Sequence, residues 1–217
     1  MTARVPDRKP ENGLGRLVGG LDEVGVGSLC GPVVAAVAVL PGPAGGDIPD
    51  CLSEVRDSKA LSAAKRERLA VAIRETCLFG IGEASPSEID DIGILPAIFL
   101  AMRRAVAALP QTPDHLLVDG NKMPRGLPCP ATTIVKGDAI SMAIAAASVL
   151  AKTHRDRLLR DLDADWPGYG WARNSGYPTG EHREAIARLG LTPHHRRSYR
   201  LDPLPAPPAQ PGLFDAL

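Results

Sequence analysis

The sequence carries no net charge. Its 25 Lys and Arg match 25 Asp and Glu, so overall charge announces no nucleic-acid partner. Four cysteines, Cys30, Cys51, Cys77 and Cys129, stand far apart with no Cys-x-x-Cys pair. That spacing suits neither a zinc site nor a disulfide framework, and reduced, buried thiols are the expectation. No apolar run is long enough to cross a bilayer; Ala139–Ala151 comes nearest and is too short and too rich in Ala and Ser. The first residues lack the apolar stretch of a signal peptide, which points to a cytoplasmic protein. Aromatics are only 4% of the chain. Trp166, Tyr169 and Trp171 crowd into one stretch, which reads as packing of a C-terminal loop rather than a stacking surface for bases. No internal repeat is present.

What is there is an ordinary globular composition. Of 217 residues, 44% are hydrophobic and 23% charged, enough for one well-buried core. Charge is unevenly placed: residues 121–200 hold 13 Lys and Arg against 7 Asp and Glu. A basic half beside an acidic cluster suits a polyanion held near a metal.

The chain divides into a loose polar stretch over 1–16, one α/β domain over 17–200, and a Pro/Ala-rich flexible tail over 201–217. Two apolar runs, Leu17–Leu21 and Val33–Leu40, flank a glycine-rich turn and read as a buried hairpin. Ser62 can cap a helix running to about Arg74. Cys77–Ile81 reads as a third strand. Ser85-Pro-Ser-Glu-Ile-Asp opens another helix, whose Ile94, Ile98, Met102 and Val106 recur every four residues along a core face. His115–Val118 is a short strand ending at Asp119, and Thr132–Val135 a fifth. The longest helix covers about 139–160, with Asp138 placed to cap it. After a Gly/Pro/aromatic loop over 165–179, a last helix covers about 181–189. This alternation makes one α/β domain.

Four acids share one kind of address. Asp22 and Glu23 end the first strand, Asp119 ends the fourth, and Asp138 follows the fifth. Catalytic groups in α/β sheets gather at strand ends. A buried carboxylate needs a partner, either a divalent metal or an Arg or Lys. All-carboxylate ligation suits Mg²⁺ or Mn²⁺ rather than zinc, and two such ions about 4 Å apart serve phosphodiester hydrolysis. Adjacent strand residues point to opposite faces, so Asp22 and Glu23 share a site only where the strand bends or ends. Gly25 and Gly27 follow at once and let backbone approach a ligand.

Several segments, in order, resemble the ribonuclease HII family (type 2 ribonuclease H). They are Leu21-Asp-Glu-Val-Gly-Val-Gly-Ser-Leu-Cys-Gly-Pro-Val-Val34, Arg56-Asp-Ser-Lys-Ala-Leu-Ser62, Leu117-Val-Asp-Gly-Asn121 and Ile134-Val-Lys-Gly-Asp138. Ala145–Asp156, Gly176-Tyr-Pro-Thr179 with Glu181-His182, and Thr192–Ser198 complete the set. The resemblance covers about 17–199. It implies a ribonuclease H-like fold, a five-stranded mixed sheet flanked by helices with a small C-terminal helical extension. It implies a metal-dependent endoribonuclease that cuts the RNA strand of RNA–DNA hybrids. It also implies nicking of DNA duplexes 5′ to embedded ribonucleotides, leaving a 3′-hydroxyl and a 5′-phosphate. The family's metal carboxylates fall on Asp22, Glu23, Asp119 and Asp138. Its reader of the 2′-hydroxyl falls on the backbone of Gly25, Val26 and Gly27 and on Tyr177.

Two positions depart from the family. Its loop is normally Gly-Arg-Gly where this chain has Val26, and Lys usually stands where this chain has Ser175. Both changes remove positive charge near the scissile phosphate. Lys59 is placed to contact phosphate or to remain a solvated charge. Ser148 and Lys152, four apart on the long helix, are placed to face nucleic acid, while Ser148 among alanines also suits close packing. Arg155, Arg196 and Arg197 read as solvated charges or backbone contacts, and His182 and His195 as hydrogen-bonded structural residues. Gln210-Pro-Gly-Leu-Phe214 resembles the peptide by which bacterial proteins grip the sliding clamp. A monomer is expected. The alternatives are a non-catalytic nucleic-acid-binding protein of the same fold, or another metal-dependent nuclease such as a junction resolvase.

Overall fold

A computed structural model describes residues 5–200. Five strands, β1 (Val18–Val24), β2 (Val33–Val39), β3 (Leu78–Ala84), β4 (His115–Asp119) and β5 (Ala131–Ile134), form one sheet in the order β3-β2-β1-β4-β5. The first three pair antiparallel, and β4 and β5 add to β1 in parallel. β2 is an unbroken apolar run because both of its faces are covered.

The helices are α1 (Ala63–Thr76), α2 (Pro86–Ile92), α3 (Ile94–Ala107), α4 (Met142–Asp165), α5 (Trp171–Asn174) and α6 (Gly180–Leu189). On one face, Val34, Ala36 and Ala38 pack under α4 and under Leu69 and Ile73 of α1. On the other, Val33, Ala35 and Val37 pack with Leu21, Leu116 and Val118 under α3. The alanines of α4 let its backbone lie on β1. A Cβ on Gly20 would stand 2.1 Å from the Ala143 carbonyl carbon.

The structure moves several expected boundaries. The single helix expected from Ser85 onward is two. Ser85 and Glu88 form a reciprocal capping box for α2, and Gly93, at φ +81°, ends it and starts α3. Asp138 does not cap the long helix. It lies in a 3-10 turn, Gly137–Ala139, and the cap is Ser141, whose hydroxyl accepts from Ile144 N–H. Strand β3 runs on to Ala84, β5 starts one residue early, and the loop after α4 contains the short α5.

Residues 5–16 are tied down more than their polar composition suggests. Arg8 and Glu11 form a buried ion pair at 2.7 Å, and Asp7 bonds the backbone at Ile140 and Met142.

Candidate active site

β1 stays paired to β2 as far as Val24, but its parallel pairing with β4 stops at Leu21 opposite Val118. The next residues, Asp22 and Glu23 on one side and Asp119 on the other, therefore flank an open split between two parallel strand ends. Ligands in open α/β sheets bind at such a split. This answers the alternation of the strand. Asp22 turns towards α4, beside Ser148, and Glu23 turns towards α3, beside Asp119, Ile98 and Met102. The two acids meet across a strand edge rather than on one face. Asp119 accepts from Gly137 N–H at 2.6 Å, which holds the turn bearing Asp138 against the end of β4.

The electrostatics follow from crowding. Burial, then the neighbouring Glu23 and Asp119, push the Asp22 carboxyl well above its usual range. Burial and Asp119 push Glu23 up to about 7. Burial, Asp119 and Asp57 raise Asp138. Lys59 sits in a turn capped by Asp57, which accepts from its N–H at 2.9 Å. Burial lowers its ammonium pKa, but Asp57, Asp138, Asp22 and Asp119 together outweigh that and raise it. One lysine does not neutralise four carboxylates. As they stand the four do not close on a single point, and among the described residues no three His, Cys, Asp or Glu side chains are grouped as an ion's ligands. The donor set is nonetheless all oxygen and over-negative, which fits a hard divalent cation.

The glycine-rich loop is held by two buried arginines. Arg155 Nε donates to Pro32 O at 3.0 Å. Its Nη2 donates to Ser28 Oγ and Cys30 O, both at 2.8 Å, and its Nη1 to Ser175 O at 2.8 Å. Gly25, at φ +89°, is glycine because any Cβ there would lie 2.3 Å from Arg155 Nε. Arg196 donates to Gly31 O and Val26 O, both at 3.0 Å, and the Tyr199 hydroxyl donates to Val26 O at 2.6 Å. Val26 thus presents its side chain to solvent while its carbonyl is fixed. Gly27 faces open space.

Reading Arg155 and Arg196 as solvated charges is corrected: both are fully buried. A signal for Arg155 stood in the sequence, since it lies between Ala151 and Leu159 on the apolar face of α4 at four-residue spacing. Arg196 offered no such pattern.

Arg155 also joins the loop to Tyr177. Leu29 N–H donates to Gly176 O at 2.8 Å, and the Tyr177 ring is flanked by Lys152 and Arg155, each 5.8 Å from its centroid. His182 accepts from Trp171 Nε1 at 2.9 Å, so its Nδ1 carries the proton and donates to Tyr177 O at 3.0 Å. His195 stands 3.2 Å behind it, and both histidines are structural, held neutral by burial. Ser148 donates to Ser58 Oγ at 2.9 Å and packs among alanines, so it is an internal link beside Asp22 rather than a free surface group. Lys152 is engaged by Asp156 at 2.6 Å.

A mixed sheet with three antiparallel strands first, two parallel strands added, and acids at the split defines an α/β protein of ribonuclease H-like architecture. The chain belongs to the ribonuclease HII family, whose model matches residues 19–202. A relative named ribonuclease HII from Ruegeria pomeroyi is 56% identical over 84% of this chain and 76% of its own length. Among solved structures, the ribonuclease H2 of Pyrococcus horikoshii OT3 aligns with a TM-score of 0.69 at 28% identity, over 85% of this chain and 94% of that one. The ribonuclease HII in a PCNA complex from Archaeoglobus fulgidus aligns with a TM-score of 0.66 at 26% identity, over 85% and 95%.

Proposed function

We propose that this chain is a metal-dependent endonuclease that cuts the RNA strand of RNA–DNA hybrids and nicks DNA duplexes on the 5′ side of embedded ribonucleotides. The observation that carries the reading is the set of four acids at one sheet split, three of them with carboxyl pKa values raised by burial and by each other. A protein that only bound a polyanion would gain nothing from concentrating negative charge there. The family's chemistry is metal-dependent.

Asp22, Glu23, Asp119 and Asp138 would hold the ions. When bound, Mg²⁺ or Mn²⁺ supplies positive charge against the attacking and leaving oxygens of the phosphodiester. The chain's own contribution is position. The Glu23 N–H, donating to Asp22 Oδ1 at 2.8 Å, orients Asp22, and Gly137 N–H orients Asp119. Lys59 adds a cation beside the carboxylates, placed for a substrate phosphate. Hydrolysis adds water across the bond between phosphorus and the preceding 3′ oxygen, leaving a 3′-hydroxyl and a 5′-phosphate. The backbone of Gly25, Val26 and Gly27 and the Tyr177 ring, clamped together by Arg155, would read the 2′-hydroxyl. Ser148, being internal, contributes through Asp22.

A sliding clamp is the proposed protein partner, supported by the PCNA complex of the Archaeoglobus fulgidus relative. Gln210–Phe214, proposed as its peptide, lies outside the described residues. No described helix is long and apolar enough to cross a membrane, and we place the enzyme in the cytoplasm as a monomer with one catalytic domain over 17–200.

The test is cleavage of a labelled DNA duplex carrying one ribonucleotide, with Mg²⁺ or Mn²⁺, beside Asp119→Asn. A nick 5′ to the ribonucleotide is expected. In the variant it should fall by more than the ~100-fold that loss of an outer-shell partner costs. An intact duplex and an intact long hybrid under both ions would reject the reading, as would an equal rate in the variant.

A further inference from the structure

The carboxylates meet only the reacting nucleotide, yet a second feature adjoins them. A groove of about 580 Å³ runs along α4 between the start of α1 and α5. Its charged lining is four cations, Arg66, Lys152, Arg160 and Arg173, against two acids, Glu67 and Asp156. That is an excess of two positive charges in a chain whose net charge is zero. Most of the remaining lining is small side chains.

The cations fall into two kinds. Arg66 and Lys152 are the inner pair, with side chains 15% and 16% exposed. Arg66 donates to Ser58 O at 2.9 Å and Leu61 O at 2.6 Å, and both cations face Asp156, at 3.6 Å and 2.6 Å. Arg160 and Arg173 are the outer pair, 51% and 72% exposed. Their ion-pair partners are surface acids, Glu67 at 2.9 Å for Arg160 and Glu181 for Arg173. Exposed pairs of this kind contribute little and open readily, so a phosphate can take the place of either acid.

The groove adjoins the site along α4. Lys152 is one helical turn beyond Ser148, the neighbour of Asp22, and Ser175 of the groove wall is two residues before Tyr177. From Lys152 to Arg160 the helix rises about 12 Å, the length of three to four nucleotides at about 3.4 Å each. A small anion would not use a path of that length, whereas a sugar–phosphate backbone meets it with successive charges.

We propose that this groove binds the phosphate backbone of the duplex beyond the reacting ribonucleotide, with Arg160 and Arg173 as its phosphate contacts and Arg66 and Lys152 as its fixed inner wall. The assignment rests on the nuclease reading above and adds to it where the rest of the substrate lies. It also offers a place where this chain recovers affinity that Val26 and Ser175 give up near the scissile phosphate.

The experiment measures binding of a duplex with one ribonucleotide by fluorescence anisotropy across a salt series, with every protein also carrying Asp119→Asn so that the duplex stays whole. The pair Arg160→Gln and Arg173→Gln together should weaken binding and flatten the slope of log K against log salt by about 1.8, since each phosphate contact contributes about 0.9. In the otherwise native enzyme the same pair should leave kcat at saturating substrate unchanged and raise KM. Glu67→Gln removes a competing acid and should tighten binding, a sign that loss of structure would not give. An unchanged slope in the double variant overturns the proposal, and so does Glu67→Gln weakening binding as the arginine variants do. If the unsubstituted enzyme cuts no ribonucleotide substrate, it is the nuclease reading that falls.

Discussion

Val26 is the residue at which this chain departs from the Gly-Arg-Gly loop usual in the family, and the proposed difference in substrate binding is centred there. Its carbonyl is fixed by Arg196 and Tyr199 while its side chain faces solvent. The backbone of this loop, proposed above to read a 2′-hydroxyl, is therefore held independently of the side chain at position 26. Val26→Arg should restore a cation without moving the loop. Phosphate contacts mainly supply affinity and register, so the expected result is a lower KM on a single-ribonucleotide duplex, stronger at low salt, with kcat little changed. Equal KM values for the two proteins at every salt concentration would show that position 26 lies off the substrate's path.

At the scale of elements, the site depends on how closely α4 lies on β1. That contact is set by Gly20, whose missing Cβ makes room for the Ala143 carbonyl group and the Ile144 nitrogen. The obstructing atoms are backbone and cannot rotate away. Gly20→Ala should therefore cost more than the ~1–3 kcal/mol of ordinary overpacking. A cost of about 3 kcal/mol lowers Tm by roughly 6–12 °C in a domain of this size. Gly27→Ala is the control within the same strand-and-loop unit. Nothing lies within 4 Å of its added methyl, so Tm should move little while substrate binding changes. Similar melting temperatures for wild type and Gly20→Ala would show that α4 is free to shift outward, and that the carboxylate geometry is not fixed by this contact.

For the whole molecule, stability and metal binding are linked through pH. Glu23 has a folded pKa of about 7 against an ordinary 4.5. Its contribution to stability without divalent ions is fully present below the unfolded value and is lost as pH rises through about 7. Asp22 and Asp138 are raised as well and act in the same direction. A bound cation requires the deprotonated carboxylates, so the Tm increase produced by Mg²⁺ should be larger at pH 8 than at pH 5. His195 works the other way. Burial lowers its pKa to about 4, so its stability is present above the unfolded value near 6.5 and is lost as pH falls towards 4. Comparing melts with and without Mg²⁺ at each pH cancels that histidine term. A Tm shift independent of pH would show that the four carboxylates are not the groups that receive the ion.

The sequence by itself determined the family, the α/β class and the approximate course of all five strands, because strand period, capping residues and motif order are written in local chain. Ser62 and Ser85 announce their helices, and Asp119 stands where an apolar run stops. Reading one helix through Gly93 passed over a local stop signal: the apolar period Ile94, Ile98, Met102, Val106 begins only after that glycine, whose positive φ ends α2 and starts α3. Local pattern did not determine the role of Arg155, whose charge argues for solvent while its helical position argues for core. Four acceptors decide between the two, three in residues 28–32 and one at Ser175, and those meet Arg155 only in the folded chain. The same holds for the acids. Sequence gave Asp22 and Glu23 opposite faces. Tertiary structure resolved this by ending the pairing of β1 with β4 at Leu21, so that both carboxylates border one split.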